Sequence, residues 1–253
     1  MKSRFLDVPF LPSSKVTVCA VSQADRGVIA ALKALQIKVI EITPNILLPE
    51  PVNSHADMLL HHAGKDKIFV SGEFEYVKEL RELGFFTEKT DKQFSEKYPD
   101  DIQLNIVNLN GMIFCNEKHC VNNVTRYYKK EGYLFKNIAQ GYSKCSTCIV
   151  NNKAVITSDD SIYNAALNSG IDALKIRCGF IDLPGYDYGF IGGVSGLIDK
   201  NLLAFTGNIK LHPDYEKIKL FTDFYEVGII SLTDNNLNDI GGIIPLMESS
   251  EEE

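Results

Sequence analysis

Residues 141–178, GYSKCSTCIVNNKAVITSDDSIYNAALNSGIDALKIRC, contain the structural unit from which most of the chain is built. The segment predicts a strand, a tight polar turn, a second strand, a helix and a third strand. Asp159 or Asp160 can cap the first free N–H groups of the helix, and Gly170 supplies the left-handed residue that ends it. Since a strand pair followed by a helix and a third strand cannot bury its apolar faces alone, the unit predicts a repeat protein.

The same order of elements recurs along the chain, with first strands spaced about 40 to 50 residues apart, which is typical of a propeller. The last apolar segment, residues 239–246, supplies the first strand that the unit at residues 15–44 lacks, so it is expected to close the ring. We therefore predict an α/β fold, a five-bladed α/β propeller with pseudo-fivefold symmetry. Aligning the five first strands brings five residues to roughly equivalent positions: Asp57, Asn105, Cys145, Ser195 and Gly242.

The length of 253 residues allows a sizeable core, and we expect one propeller domain over residues 1–248 followed by an acidic disordered tail at 249–253. The net charge is −7 and the basic residues are scattered, which argues against nucleic acid and against an anionic membrane surface as partners. Charges and prolines interrupt the N-terminal apolar run, so no signal peptide is expected. We predict a cytoplasmic protein whose six cysteines are reduced thiols.

His55 and Asp57 are two residues apart on the predicted first strand of the second blade, so their side chains are expected on one face. A carboxylate beside an imidazole can orient it as a general base. The alternative is a hydrogen-bonded pair that stabilises a blade interface. His61 and His62 follow at the end of the same strand, where we expect them to be solvated.

Cys145 lies on the predicted first strand of the fourth blade and shares a face with Ser143 and Thr147, whereas Lys144 and Cys148 point the other way. It is either a nucleophile activated by His55 or a small buried hydrophobic residue.

Two cysteine groups suggest zinc, but neither has a convincing pattern. Cys145 and Cys148 have the C-x-x-C spacing, yet they lie within a predicted strand. Cys115, His119 and Cys120 have no matching second pair. We therefore expect neither a metal nor another cofactor.

Five strings suggest a relationship to known proteins: HADM at 55–58, GYSKCS at 141–146, GYDYGFIGG at 185–193, AFTGN at 204–208 and DIGGIIPL at 239–246. Together with the repeat, they resemble the pentein fold of the guanidino-group-modifying enzymes, over residues 15–246. The strings themselves resemble an uncharacterised bacterial branch of that superfamily. The resemblance implies chemistry at the first strands, facing a central channel.

The resemblance also implies roles for single residues. Asp57 matches the aspartate that holds the guanidinium. Asn105 stands near the position of the third-blade carboxylate, and we expect it to bind the ligand as well. Ser143 and Cys145 occupy the positions of the family's H-x-D motif, and Pro245 stands where the closing strand of active members carries its nucleophilic cysteine.

These observations lead to three hypotheses. In the first, the central channel binds a small guanidino, amidino or amine cation through Asp57 and Asp239. His55 is then the acid or base and Cys145 the nucleophile of a C–N hydrolase or amidino-group transferase, while Ser195 positions the ligand. The second is a catalytically silent small-ligand-binding protein. The third is a platform for protein interactions, and the sequence leaves a homo-oligomer open.

Overall fold

The computed structural model describes residues 2–250, which form helices and small sheets. The α-helices are α1 (Arg26–Ala34), α2 (Ala56–Leu59), α3 (Glu75–Glu82), α4 (Asn122–Lys130), α5 (Asp160–Leu167) and α6 (Tyr215–Phe224). Short 3-10 helices cover Glu50–Val52, Gly192–Val194 and Ile209–Leu211.

The strands of the described residues group into five sheets, one for each predicted blade. The first sheet contains β1 (Ser3–Phe5), β2 (Val16–Ser22), β3 (Lys38–Ile42) and β16 (Ile244–Ser249). The second contains β4 (Leu60–Gly64), β5 (Lys67–Val70) and β6 (Phe86–Lys89), and the third contains β7 (Val107–Leu109), β8 (Met112–Cys115) and β9 (Leu134–Asn137). The fourth contains β10 (Cys148–Asn151), β11 (Ala154–Thr157) and β12 (Asp172–Lys175), and the fifth contains β13 (Ser195–Asp199), β14 (Leu202–Phe205) and β15 (Gly228–Ser231).

Each blade has the predicted topology, in which the first two strands are antiparallel and a helix leads to a parallel third strand. In the fourth blade, Asp159 caps α5 by accepting a hydrogen bond from the backbone N–H of Ile162. Ile162 and Ala166 form the buried face of that helix, so the cap and the apolar spacing together fix where it begins and how it packs. The predicted five-bladed α/β propeller is confirmed.

The chain closes as expected, because β16 pairs antiparallel with β2 and completes the first blade. An additional strand, β1, pairs with the outer edge of β16, where Ser3 lies opposite Ser249. The tail predicted at 249–253 thus starts too early, since Ser249 belongs to β16 and the Ser250 N–H donates to the carbonyl of Lys2. Residues 251–253 of that predicted tail lie outside the described residues.

The predicted first strands begin too early in the second and fourth blades. Residues 56–59 form the short helix α2, and β4 starts only at Leu60. In the fourth blade, the Ser146 N–H donates to the Tyr142 carbonyl, as in a turn of helix, and β10 starts at Cys148. The strand alternation used to orient His55 and Cys145 therefore does not apply to them.

His61 and His62 were expected to be solvated, and this expectation is wrong: their exposed fractions are 2% and 0%. The N-terminal segment covers the end of β4, since the Lys65 N–H donates to the Leu6 carbonyl. His61 Nε2 lies 2.6 Å from the Tyr128 hydroxyl, and His62 Nε2 lies 2.9 Å from the Lys65 carbonyl. Within residues 2–250, none of the helices has the length and apolar character that crossing a membrane requires.

Candidate functional site

Turns preceding the first strands are joined by hydrogen bonds into a closed ring that runs through all five blades. The Asp57 N–H donates to the Gly241 carbonyl, and Asn105 Nδ2 donates to the Asp57 carbonyl. Asn105 Oδ1 in turn accepts the N–H groups of Lys144 and Cys145. The ring is completed by Gly193 N–H to the Cys145 carbonyl and Gly242 N–H to the Gly193 carbonyl. Because these links are between blades, the side chains of the turns are held in fixed relation to one another.

This ring brings together three of the predicted site residues. The imidazole of His55, the carboxylate of Asp57 and the thiol of Cys145 each offer an atom that lies within 4.8 Å of the other two. Their exposed fractions are 3%, 1% and 3%. Neither carboxylate oxygen of Asp57 nor Nδ1 of His55 has a hydrogen-bond partner among the described residues. The three side chains are therefore buried together with unused hydrogen-bonding capacity.

Asn105 was predicted to bind a ligand, but its amide is engaged within the protein. Its Oδ1 lies 2.6 Å from the Lys144 nitrogen and 3.1 Å from the Cys145 nitrogen. Its Nδ2 lies 3.3 Å from the Asp57 carbonyl oxygen and 3.0 Å from the Cys145 sulfur. Asn105 thus fixes the turn of the fourth blade and holds the thiol.

Asp239 lies beside the cluster, with its Oδ1 3.7 Å from His55 Nδ1. Its Oδ2 accepts the Phe190 N–H at 2.8 Å, and its Oδ1 accepts the Gly241 N–H at 3.0 Å. The carboxylate also packs on Gly193, where a Cβ would lie only 1.9 Å from Oδ1. Asp239 therefore orients the loop before the fifth blade and the closing turn, besides placing negative charge near His55.

Burial dominates the protonation of the cluster. Burial raises the pKa of Asp57 from 3.8 to about 7. The nearby Lys144 ammonium lowers this pKa, whereas the Asp239 carboxylate raises it further. Burial, together with the carboxylates of Asp57 and Asp239, raises the pKa of Cys145 well above its ordinary value. Burial also lowers the pKa of His55, against the attraction of Asp239. Near neutral pH the site therefore holds a thiol and a neutral imidazole.

Lys144 was expected to point away from Cys145 on a regular strand. Because residues 142–146 form a helical turn instead, this alternation does not apply, and Lys144 is buried with an exposed fraction of 4%. Its ammonium donates to the Gly192 carbonyl at 3.1 Å and lies 5.6 Å from the centre of the Phe10 ring. Its positive charge lowers the pKa of Asp57.

A cavity of about 230 Å³ reaches the cluster from the surface. His55, Cys145 and Asp239 are among its lining residues, whereas Asp57 lies behind the lining. Aromatic side chains form much of its wall: Tyr142, Tyr186, Tyr188 and Phe190. The rest of the lining is apolar, from Val52, Met58 and Leu183, apart from the exposed carboxylate of Asp187. The rings of Tyr142 and Phe190 are stacked with centroids 6.1 Å apart.

Ser195 does not join this cavity. Its hydroxyl donates to the Ile191 carbonyl at 2.8 Å, as a residue at the end of a helical turn does. Together with Pro245 and Lys144, it lines a much smaller void of about 10 Å³. Pro245 itself pairs with Cys19 in the sheet between β16 and β2. The structure therefore places Ser195 apart from the His55 and Cys145 side chains.

The aromatic wall was missed as part of the site. Residues 179–190 are rich in glycine and aromatic residues, a composition found both in loops that cover a site and in loops that pack on the surface. The Phe190 N–H is tied to Asp239, which holds this loop over the cavity. Tyr186 and Tyr188 remain partly exposed, at 44% and 39%, so they line the mouth.

Residues 20–244 match the model of a family of unknown function, DUF6873. The chain belongs to this family. No curated protein matches the DUF6873 sequence significantly.

The solved structures that are similar to this chain include an amidinotransferase, a deiminase and a DDAH. The inosamine-phosphate amidinotransferase of Streptomyces griseus is 10% identical, with a TM-score of 0.59, and the match covers 98% of this chain and 99% of that one. An agmatine deiminase from C. jejuni is 10% identical, with a TM-score of 0.53 and coverages of 89% and 90%. A DDAH mutant from Pseudomonas aeruginosa in complex with citrulline is 8% identical, with a TM-score of 0.51 and coverages of 90% and 96%. These matches confirm the pentein fold.

Proposed function

We propose that the DUF6873 protein binds a small organic cation in the cavity and uses Cys145 to attack it. The observation that carries this proposal is the placement of the Cys145 thiol, the His55 imidazole and the Asp57 carboxylate within 4.8 Å of one another, with the first two at the inner end of the cavity. A nucleophile, a proton acceptor and a cation-binding carboxylate are the parts that reaction at a guanidino or amidino carbon needs.

The cavity lining favours a cation that carries no carboxylate. Its charged residues are Asp187 and Asp239, and its lining contains neither lysine nor arginine. Tyr142, Tyr188 and Phe190 also line the cavity, and the face of an aromatic ring attracts a cation rather than an anion. A ligand with a carboxylate would meet like charge without a partner, which costs several kcal/mol. We therefore expect agmatine to bind at least about tenfold more tightly than arginine.

The proposed reaction starts from the protonated thiol. The carboxylates of Asp57 and Asp239 disfavour the Cys145 thiolate, and the positive charge of the ligand offsets only part of this effect. His55 therefore takes the thiol proton as the sulfur attacks the amidino carbon. A C–S bond forms, the C–N π electrons move to nitrogen, and the resulting tetrahedral adduct loses an amine or ammonia that takes the proton back from His55. Water in a hydrolase, or an acceptor amine in a transferase, then adds to the same carbon. The C–S bond breaks, and the sulfur takes a proton from the attacking group and becomes the free thiol again.

A second candidate function is binding without chemistry. It is supported by the raised pKa of Cys145, because the thiol is poorly nucleophilic when no ligand is present.

The two candidates are distinguished by two electrophiles of the same shape, the cationic chloroacetamidine and the neutral chloroacetamide. Peptide mass spectrometry then measures the modification rate of each cysteine. The proposal predicts faster modification of Cys145 by the cationic reagent and loss of this preference in His55→Gln. Exposed Cys178 serves as the internal control, since it should show no such preference. If Cys145 reacts with neither reagent while agmatine still binds, the protein is a binding protein. If agmatine does not bind either, both candidates are refuted.

A further inference from the structure

The cluster of His55, Asp57 and Cys145 combines three ligand types that a metal ion uses. Both oxygens of Asp57 are buried, and among residues 2–250 neither has a hydrogen bond of good geometry, although the Cys145 thiol and the Asn105 amide lie near the carboxylate. Buried carboxylate oxygens without partners are rare in folded proteins and indicate an ion or water that satisfies them. The same cluster also contains a thiol and an imidazole nitrogen within 4.8 Å. Together, these features indicate a cation that binds to sulfur, nitrogen and oxygen at once.

We propose that His55, Asp57 and Cys145 bind one zinc ion, with its fourth coordination position open to the cavity. Zinc accepts thiolate, imidazole and carboxylate ligands, whereas magnesium and calcium prefer oxygen ligands alone. Three protein ligands with one free position are typical of a catalytic rather than a structural zinc site. The free position would face the cavity, because His55 and Cys145 line it.

The distances require only a small adjustment. Tetrahedral coordination with Zn–S near 2.3 Å and Zn–N near 2.0 Å places ligand atoms about 3.5 Å apart. The three ligand atoms here lie within 4.8 Å, so side-chain rotations that move them by about an ångström bring them into range. Their backbones are already fixed by the ring of hydrogen bonds between blades, which keeps the site assembled without the ion.

The surroundings supply the outer contacts that zinc ligands commonly have. Asn105 Nδ2 lies 3.0 Å from the Cys145 sulfur and donates to it, which stabilises a thiolate ligand. Asp239 Oδ1 lies 3.7 Å from His55 Nδ1, close enough to orient the imidazole after a small shift. The positive charge of Lys144 opposes the binding of a cation nearby, but its ammonium donates to the Gly192 carbonyl rather than to Asp57.

The two cysteine groups considered from the sequence do not offer such a site. Of the described residues, the one group of three or more potential ligands close enough to share an ion is His55, Asp57 and Cys145. Cys148 lies in β10 and is fully buried outside that group, and Cys115 ends β8 in the third blade. Both cysteines therefore provide matched controls.

This inference does not depend on the proposed function, although it uses the same side chains. Zinc and an electrophile compete for the Cys145 sulfur, so bound zinc should protect Cys145 from chloroacetamidine. If zinc fails to bind while modification of Cys145 still depends on His55, the metal site is refuted and the proposed function stands. If zinc binds and the metal-free protein shows no preference for the cationic reagent, the metal site stands and the proposed function is refuted.

The test is a titration of the reduced, chelator-treated full chain with zinc in competition with a chromophoric chelator. We expect one zinc per chain and an affinity loss of roughly 100-fold or more in Cys145→Ser and in Asp57→Asn. Cys115→Ser and Cys148→Ser should bind as the wild type does. Cobalt(II) provides a second readout. A thiolate-to-cobalt charge-transfer band should appear in the wild type, in Cys115→Ser and in Cys148→Ser, and it should be absent from Cys145→Ser even at saturating cobalt. Thermal unfolding of each variant identifies loss of fold. The site is refuted if wild-type zinc affinity is no higher than that of folded Cys145→Ser, or if Cys115→Ser loses the cobalt band.

Discussion

The affinity for an organic cation should depend on pH through one group, Asp57. Burial raises the pKa of Asp57 to about 7, so the carboxyl is largely protonated below that pH when no ligand is bound. A bound cation favours the ionised form, and binding must then release the proton. Lowering the pH from about 8 to about 5 is therefore the perturbation, and it should weaken binding.

The magnitude follows from the single proton. Each pH unit below the pKa costs 1.36 kcal/mol, or a factor of ten in the dissociation constant. Agmatine should thus bind roughly 100-fold more weakly at about pH 5 than on the plateau above about pH 8. Burial raises the pKa of Cys145 well above its ordinary value, so the thiol stays neutral over this range. Burial also lowers the pKa of His55 below 6.5, so the imidazole is neutral on the plateau above about pH 8.

Isothermal titration calorimetry measures both the affinity and the proton. Titrations in two buffers with different ionisation enthalpies should report the release of about one proton per agmatine at about pH 5 and almost none at about pH 9. Asp57→Asn should bind weakly at every pH and release no proton. The reasoning is refuted if the wild-type affinity is independent of pH across this range, or if Asp57→Asn retains the tenfold change per unit.

Two further predictions concern the fold that supports the site. Burial lowers the pKa of His62 from 6.5 to about 4. As the pH falls from 6.5 to about 4, His62 therefore takes up a proton in the unfolded state but not in the folded state, which lowers the free energy of unfolding by about 3 kcal/mol. Denaturant unfolding of His62→Gln, whose amide can donate to the Lys65 carbonyl, should lose that part of the pH dependence; an unchanged slope would contradict the burial argument. Gly193→Ala places a Cβ 1.9 Å from Asp239 Oδ1, so agmatine affinity should fall about tenfold or more, whereas Gly228→Ala, with 3.5 Å to its nearest neighbour, should leave it unchanged. Equal affinities of these two variants, measured by calorimetry, would show that the Asp239 contact does not shape the site.

The blades could be predicted because their signals are local. The Asp159 cap, the apolar face of α5 and Gly170 lie within one short segment and specify the helix without other parts of the chain. The closing strand could be predicted because the first unit lacked a partner, and β16 supplies it. Repetition made both inferences stronger than a single unit would have allowed.

The site could be predicted only in part, because contacts between blades decide its details. Alternation on a strand placed His55 and Asp57 on one face, but residues 56–59 form a helix whose Asp57 N–H is bound by Gly241, far away in the sequence. The same kind of turn contains Lys144, whose side chain is buried. The hydrophobic pattern of a segment carries no information on hydrogen bonds to distant residues. It therefore does not predict a short helical turn before a strand.

Burial of polar residues was equally hidden from the sequence. His61 and His62 follow a strand end, where solvation is the usual outcome, yet the N-terminal segment covers them. The loop at residues 179–190 joins the cavity because the Phe190 N–H is bound by Asp239. In both cases a distant segment decides whether a residue is solvated or buried.

The central claim is that His55, Asp57 and Cys145 form one functional site reached through the aromatic cavity. A crystal structure of the metal-free protein soaked with chloroacetamidine tests it most directly. The account predicts continuous density from the Cys145 sulfur to an amidine group that lies inside the cavity, beside the rings of Tyr142 and Phe190. The claim is contradicted if the cavity contains only water and Cys145 is unmodified while exposed Cys178 carries the label.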